Sequence, residues 1–223
     1  MPASTNNELI LIGGHLSDEV IEYLAQSAGK EAGVVMFAQD SGSDQYFEEK
    51  SQAFARFGCK LRNVQSSNDL EGLSLVLYAG GDQHRLAKKL KSTGLHSELV
   101  AWWRKGEVIL AGTSAGAMVL CGVMLEDASD DTFGKASVAL THGLGPIGSS
   151  FIVPHWGQWT KPEWRQQLLK AHSAYYIFGI DEGTAMIWRA GNCRVLGTGK
   201  VYARGMMNGD WGSGEEFDIA RRF

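Results

Sequence analysis

The sequence predicts an α/β protein, a three-layer αβα sandwich on a mostly parallel sheet with antiparallel strands at one edge. Three observations carry this. Short apolar runs alternate with helix-patterned segments through the first half of the chain. Most of those runs are apolar throughout, the mark of strands covered on both faces. Late in the chain, residues 185–189 and 193–196 flank Ala190-Gly191-Asn192, a hairpin signal that adds antiparallel strands.

The elements follow in order. Residues 8–12 form an apolar strand ending in Gly13-Gly14. Ser17 can cap a helix that carries Val20, Ile21, Leu24 and Ala25 on one face. The next buried strand spans 34–38, and residues 45–57 read as a helix with Phe47, Phe54 and Phe57 as core contacts. A short strand over 60–64 precedes a stronger one over 73–79, which runs into Gly80-Gly81-Asp82. Helices are expected over 83–90 and 97–103, then a strand over 107–111. Residues 126–150 are rich in Asp, Gly and Ser and read as irregular. A strand over 151–154 ends at His155 and opens a loop over 156–159. A helix over 162–172 has Pro162 in its first turn, where the missing N–H costs little. Residues 175–180 form a buried strand, the hairpin follows, and 200–203 adds a further strand.

At 223 residues, with no internal repeat and no linker long enough to separate two units, residues 1–223 are expected to form a single domain. The hydrophobic share of 44% and charged share of 21% are those of an ordinary globular protein. A net charge of −4 argues against nucleic acid or an anionic membrane as partner. Cys59, Cys121 and Cys193 are far apart and make no C-x-x-C, which fits a reducing compartment and offers no metal framework. The polar start Met-Pro-Ala-Ser-Thr-Asn-Asn-Glu makes no signal peptide, and no apolar run approaches a membrane span. A cytoplasmic location is expected. Neither cofactor nor metal is expected.

The segment Gly112-Thr113-Ser114-Ala115-Gly116 points to chemistry. It joins an apolar strand to small residues suited to a packed helix, the G-x-S-x-G pattern of a nucleophile elbow. Such a turn presents Ser114 at the positive end of the following helix, with the Ala115 N–H beside the position of an oxyanion. A serine nucleophile needs a base, and the base an orienting acid. Of the six histidines, His155 is best placed, at the end of a short strand, although a structural histidine bonded to backbone would read the same. His15 and His142 lie in Gly-flanked loops, and His84, His96 and His172 fall on or beside helices. Asp181-Glu182 follows a buried strand, where an unpaired carboxylate would be costly and a histidine partner would relieve the cost. Asp127, Asp130 and Asp131 are the rival acids. The Gly81 N–H is a candidate second oxyanion donor, and a tight turn with Asp82 as helix cap is the alternative.

Together, Gly80-Gly81-Asp82-Gln83, Gly112-Thr113-Ser114-Ala115-Gly116-Ala117, a histidine after a short strand and Gly179-Ile180-Asp181-Glu182-Gly183-Thr184-Ala185 resemble the dipeptidase E and cyanophycinase family of serine peptidases. The resemblance runs from Gly13-Gly14 to about residue 203. It implies a flavodoxin-like fold of the class I glutamine amidotransferase type, with serine in place of cysteine at the elbow. It also implies Ser114 as nucleophile, His155 as base and Glu182 as acid, and the reading of the two turns adds Gly81 with Ala115 as the expected oxyanion hole. In the dipeptidase E branch the acid is an aspartate soon after the elbow helix, which keeps Asp127 open. Gln83, Trp159, Lys161 and Arg165 are the candidate substrate contacts. Where cyanophycinases carry several arginines after the histidine, this chain has Trp156, Trp159, Lys161, Trp164 and Arg165. A small peptide is therefore expected as substrate rather than aspartyl-arginine polymer. An esterase or amidase with the same triad, and an inactive binding protein on this scaffold, are the alternatives. An α/β-hydrolase fits less well, because its acid precedes its histidine in the chain. The assembly is open, a homodimer included.

Overall fold

The computed structural model describes residues 7–40, 43–126 and 138–219. Its main sheet begins with β1 (Leu9–Ile12), every residue of which is buried. Ser17 caps α1 (Asp18–Ala28) by accepting from the Val20 N–H at 3.4 Å. That helix buries Val20, Ile21, Leu24 and Ala25. Burying one such leucine stabilises the fold by about 1.5–3 kcal/mol. β2 (Glu31–Val35), α2 (Ser43–Ala55), β3 (Lys60–Asn63) and β4 (Leu75–Tyr78) follow. Then come α3 (Gln83–Thr93), α4 (Leu95–Arg104), β5 (Ile109–Thr113) and the short α5 (Ala115–Val119). β1, β5, β4, β2 and β3 pair in parallel.

The second half extends this sheet and adds others. β6 (Val123–Leu125) and β7 (Leu140–His142) form a small antiparallel ribbon. β8 (Ser150–Pro154), α6 (Trp156–Trp159), α7 (Pro162–His172) and β9 (Tyr176–Ile180) come next. The chain closes with β10 (Thr184–Arg189), β11 (Asn192–Gly197), β12 (Lys200–Gly205), β13 (Gly209–Gly212) and β14 (Glu216–Asp218). β10, β11 and β14 add antiparallel strands, giving the order β14-β11-β10-β1-β5-β4-β2-β3. A separate four-stranded sheet has the order β13-β12-β9-β8.

The main sheet divides the core, because successive side chains of a strand point to opposite faces. Ile10 and Ile12 join Leu24, Val34, Phe54 and Leu77 under α1 and α2. Leu9 and Leu11 join Tyr78, Leu86, Leu99, Leu110 and Met118 under α3, α4 and α5. Ile152 and Phe178 of the second sheet pack into that same cluster. The α/β layering with an antiparallel edge is as expected. Among the described residues no helix is long and apolar enough to cross a membrane.

Four expectations are corrected. β2 lies three residues earlier than the apolar run 34–38, because Met36, Phe37 and Ala38 are buried in the turn that follows the strand. The loop expected over 156–159 is the helix α6, whose turn closes on the His155 carbonyl through the Trp159 N–H at 2.8 Å. β7 lies within the span expected to be irregular, where it pairs with β6 just before that span. β13, β14 and the second sheet had no counterpart in the sequence reading.

The elbow helix approaches β4 very closely. A Cβ at Gly116 would stand 2.1 Å from the Tyr78 carbonyl oxygen, which is backbone and cannot swing aside. Gly116→Ala is expected to cost about 1–3 kcal/mol through overpacking. The cost should appear as a lower urea midpoint at unchanged m.

Candidate active site

β5 delivers Ser114 to a sharp turn. Its φ of 50° and ψ of −112° lie where L residues are seldom found, a cost tolerated when surrounding contacts hold the backbone. The Ser114 N–H donates to Ile12 O at 2.9 Å, and the Thr113 hydroxyl donates to Gly14 O. α5 starts at the next residue, so strand, turn and helix stand as the motif requires.

His155 follows β8 with φ of 53°, its N–H donating to Gly13 O at 2.7 Å. Its Nε2 lies 2.9 Å from Ser114 Oγ, and its Nδ1 lies 2.7 Å from Glu182 Oε1. A neutral ring beside a carboxylate carries its proton on Nδ1, which leaves Nε2 to accept from the serine hydroxyl. The His155 side chain is only 8% exposed, whereas the Glu182 side chain is 34% exposed.

Gly14 makes room for this pair. A Cβ there would stand 2.3 Å from His155 Cε1, 2.6 Å from Nδ1 and 3.2 Å from Glu182 Cγ. The ring of Trp159 stacks on the imidazole, with centroids 3.5 Å apart and planes 10° apart.

The candidate anion-stabilising donors come from two turns. Gly80 lies against Ser114, since a Cβ on it would meet Ser114 Cβ at 3.3 Å. Gln39 holds this turn by donating to Gly80 O at 2.5 Å, and the Asp82 N–H donates to Ala38 O at 3.0 Å. Among the described residues, no backbone carbonyl outside the regular ladders accepts from the Gly81 or Ala115 N–H. Asp82 also caps α3 by accepting from the Arg85 N–H at 2.8 Å, so the two readings of this turn coexist.

Neither acid of Asp181-Glu182 lies free in solvent. Glu182 meets the histidine, and Asp181 is buried. Asp181 accepts from the Gly157 N–H at 2.8 Å, the Lys200 N–H at 3.1 Å and the Tyr202 hydroxyl at 3.2 Å. Burial, and then the Asp181 charge, push the Tyr202 phenol up, so it stays protonated and donates. Asp181 thus ties α6 to the second sheet. The sequence reading missed this tie, and also the roles of Gln39 and Gly14. The Gly13-Gly14 pair directly after β1 was the only trace of the latter.

The substrate-contact candidates divide. Lys161 is exposed just before α7. Trp159 is half-buried against the imidazole. Gln83 is buried and donates to Glu126 O at 3.3 Å. Arg165 was expected to face substrate, but its guanidinium is bound within its own segment. It donates to Thr160 Oγ1 at 2.6 Å, Thr160 O at 3.1 Å and Trp156 O at 2.7 Å, and lies 4.7 Å over the Trp156 ring.

Rival groups have other partners. His96 is buried, with Tyr78 Oη at 3.1 Å and Leu144 O at 2.6 Å, and burial lowers its pKa. His84 reaches Glu126 O and His172 reaches Val138 O. Burial pushes the Cys121 thiol up to about 12 and raises Cys59 and Cys193, so none of the three is a ready thiolate. Asp127, Asp130 and Asp131 lie outside the described residues. Among the described residues, no cluster of three or more His, Cys, Asp or Glu could hold a metal ion.

Comparison with known proteins decides the family. The model of peptidase family S51 matches residues 9–196, a span that contains Gly14, Ser114, His155 and Glu182. The chain belongs to peptidase family S51. Within the family, it is similar to the cyanophycinase of Trichormus variabilis, with 34% identity over 145 residues, which cover 64% of this chain and 48% of that protein. The chain spans about half the length of the curated relatives it matches. A solved peptidase from an acI-B1 actinobacterium superposes with a TM-score of 0.76 at 24% identity, covering 95% of this chain and 96% of that one. A putative peptidase E protein from Listeria monocytogenes EGD-e superposes with a TM-score of 0.63 at 17% identity, covering 86% and 98%. Both share the fold.

Proposed function

We propose that this S51 chain is a serine peptidase that hydrolyses short peptides through an acyl-enzyme, with Ser114, His155 and Glu182 as its triad. The observation that carries this reading is the unbroken hydrogen-bond chain from Ser114 Oγ to His155 Nε2 at 2.9 Å and from His155 Nδ1 to Glu182 at 2.7 Å. In the first step, Ser114 Oγ attacks the scissile carbonyl while His155 Nε2 takes the hydroxyl proton. The developing imidazolium is stabilised by Glu182 through Nδ1–H. The N–H groups of Gly81 and Ala115 receive the oxyanion, and one such donor is typically worth about 10²–10³-fold in kcat. His155 then returns the proton to the leaving amine, and the acyl group stays on Ser114. In the second half, His155 removes a proton from water, the resulting hydroxide attacks the ester, and Ser114 is regenerated with its proton.

The substrate reading rests on the segment after His155. With Arg165 bound to Thr160 and Trp156, Lys161 is the exposed cation there and the candidate contact for one peptide carboxylate. One such cation suits a short peptide with a free terminus better than a polymer bearing an acid at every repeat.

Reaction with a fluorophosphonate, followed by peptide mapping, tests the nucleophile. Hydrolysis of a library of short peptides beside aspartyl-arginine polymer tests the substrate. Label on Ser114 and turnover of short peptides over polymer are expected. Label on another residue, or hydrolysis of esters without peptides, would overturn the reading.

A further inference from the structure

The indole of Trp159 covers the imidazole of His155 with centroids 3.5 Å apart and planes only 10° apart. Trp159 sits four residues after His155, and α6 places it there. The Gln158 and Trp159 N–H groups both donate to His155 O, at 3.1 and 2.8 Å. The Thr160 hydroxyl donates to Trp156 O at 2.5 Å. Two further anchors fix α6 from outside. Asp181 accepts from the Gly157 N–H, and the Arg165 guanidinium holds Trp156 O and covers the Trp156 ring. The Glu182 backbone N–H also donates to Gln158 Oε1 at 3.3 Å, so the chain that carries the triad acid and the turn bearing the indole are hydrogen-bonded together.

We infer that Trp159 is a positioning residue for His155 rather than a wall of the substrate subsite. This inference rests on the triad reading above. Serine and glutamate fix the ring at its two nitrogens, but hydrogen bonds in the ring plane leave it free to tilt. Gly14 backs onto Cε1 and Nδ1, and the indole blocks tilting through the face it covers. The same face carries the negative side of the indole quadrupole, which favours the imidazolium formed as Ser114 loses its proton. A flat aromatic surface therefore serves the ring twice, in orientation and in charge. Neither effect requires substrate, so a small reagent that reacts with Ser114 is enough to reveal both.

The test measures the rate of Ser114 phosphonylation, and separately kcat and KM for a short peptide, in the wild type and in variants at Trp159. Trp159→Ala is expected to slow phosphonylation and lower kcat by about 10- to 100-fold, the size of effect that misplacing a reacting group by an ångström can have. KM should change little. Trp159→Phe, which restores a flat face, should recover most of the loss. A Trp159→Ala protein that phosphonylates at the wild-type rate and shows only a raised KM would make Trp159 a substrate contact and overturn the inference. If the alanine variant fails to fold, Trp159→Leu takes its place, because leucine fills volume without a flat face. A leucine variant reacting as fast as the phenylalanine variant would also overturn it. Failure of the triad reading shows separately, as wild-type protein that carries no phosphonate on Ser114.

Discussion

Ser114→Ala is expected to lower kcat by about 10⁴–10⁶-fold, the scale on which removing a serine nucleophile acts in this class of mechanism. Only the hydroxyl 2.9 Å from His155 Nε2 is lost. Alanine at φ 50° strains the backbone about as serine does, so the urea midpoint should stay close to that of the wild type. The loss should therefore appear in turnover and not in folding. The measurement is steady-state hydrolysis of the best short peptide from the library, beside a denaturation curve. A variant that keeps more than about 1% of wild-type kcat would remove Ser114 from the reaction, because oxyanion donors and binding alone supply far less.

Glu182→Gln is expected to cost about 10²–10⁴-fold in kcat, with KM nearly unchanged. An amide can still occupy the place 2.7 Å from His155 Nδ1, but it brings no charge to the imidazolium. It can also turn its NH₂ toward the ring and favour the tautomer with the proton on Nε2, which cannot accept from Ser114. Asp127→Asn is the comparison, since Asp127 is the rival acid read from the sequence, and it should stay near the wild type. The reverse ranking would move the acid to the segment after α5.

Much of this architecture was legible because its signals are local. β1 and β4 are apolar runs, β5 is apolar up to its Gly-Thr end, and α1 repeats buried residues at helical spacing after a serine cap. The turn at Ser114 announces itself by small residues on both sides, and Asp181-Glu182 by its position between two apolar strands. What was not legible depends on pairing or on side-chain direction. That β9 pairs with β8 and β12 outside the main sheet is a choice of strand partner, which no local pattern encodes. α6 is one turn with a glycine inside it, too short for any period to emerge. Met36, Phe37 and Ala38 are buried without being strand, so burial alone placed β2 too late. Arg165 lies where a substrate-facing cation was expected, and only the path of α6 turns it inward onto Trp156.

The division of the strands into two sheets has a consequence for how the protein fails. Ser114 and the Gly81 turn hang from β5 and β4 of the main sheet, His155 hangs from β8 of the second, and Asp181-Glu182 crosses from β9 of the second to β10 of the main sheet. The serine–histidine contact at 2.9 Å is thus a gap across a joint between two separately hydrogen-bonded frames, joined there by core packing as well as by hydrogen bonds. A joint can loosen while each frame stays whole. Mild heat, low denaturant or a small cavity among Ile152, Phe178 and Met118 would widen the gap before either frame loses its strands. The activity of this protein should therefore fade as an early warning, while its strands and helices still look intact.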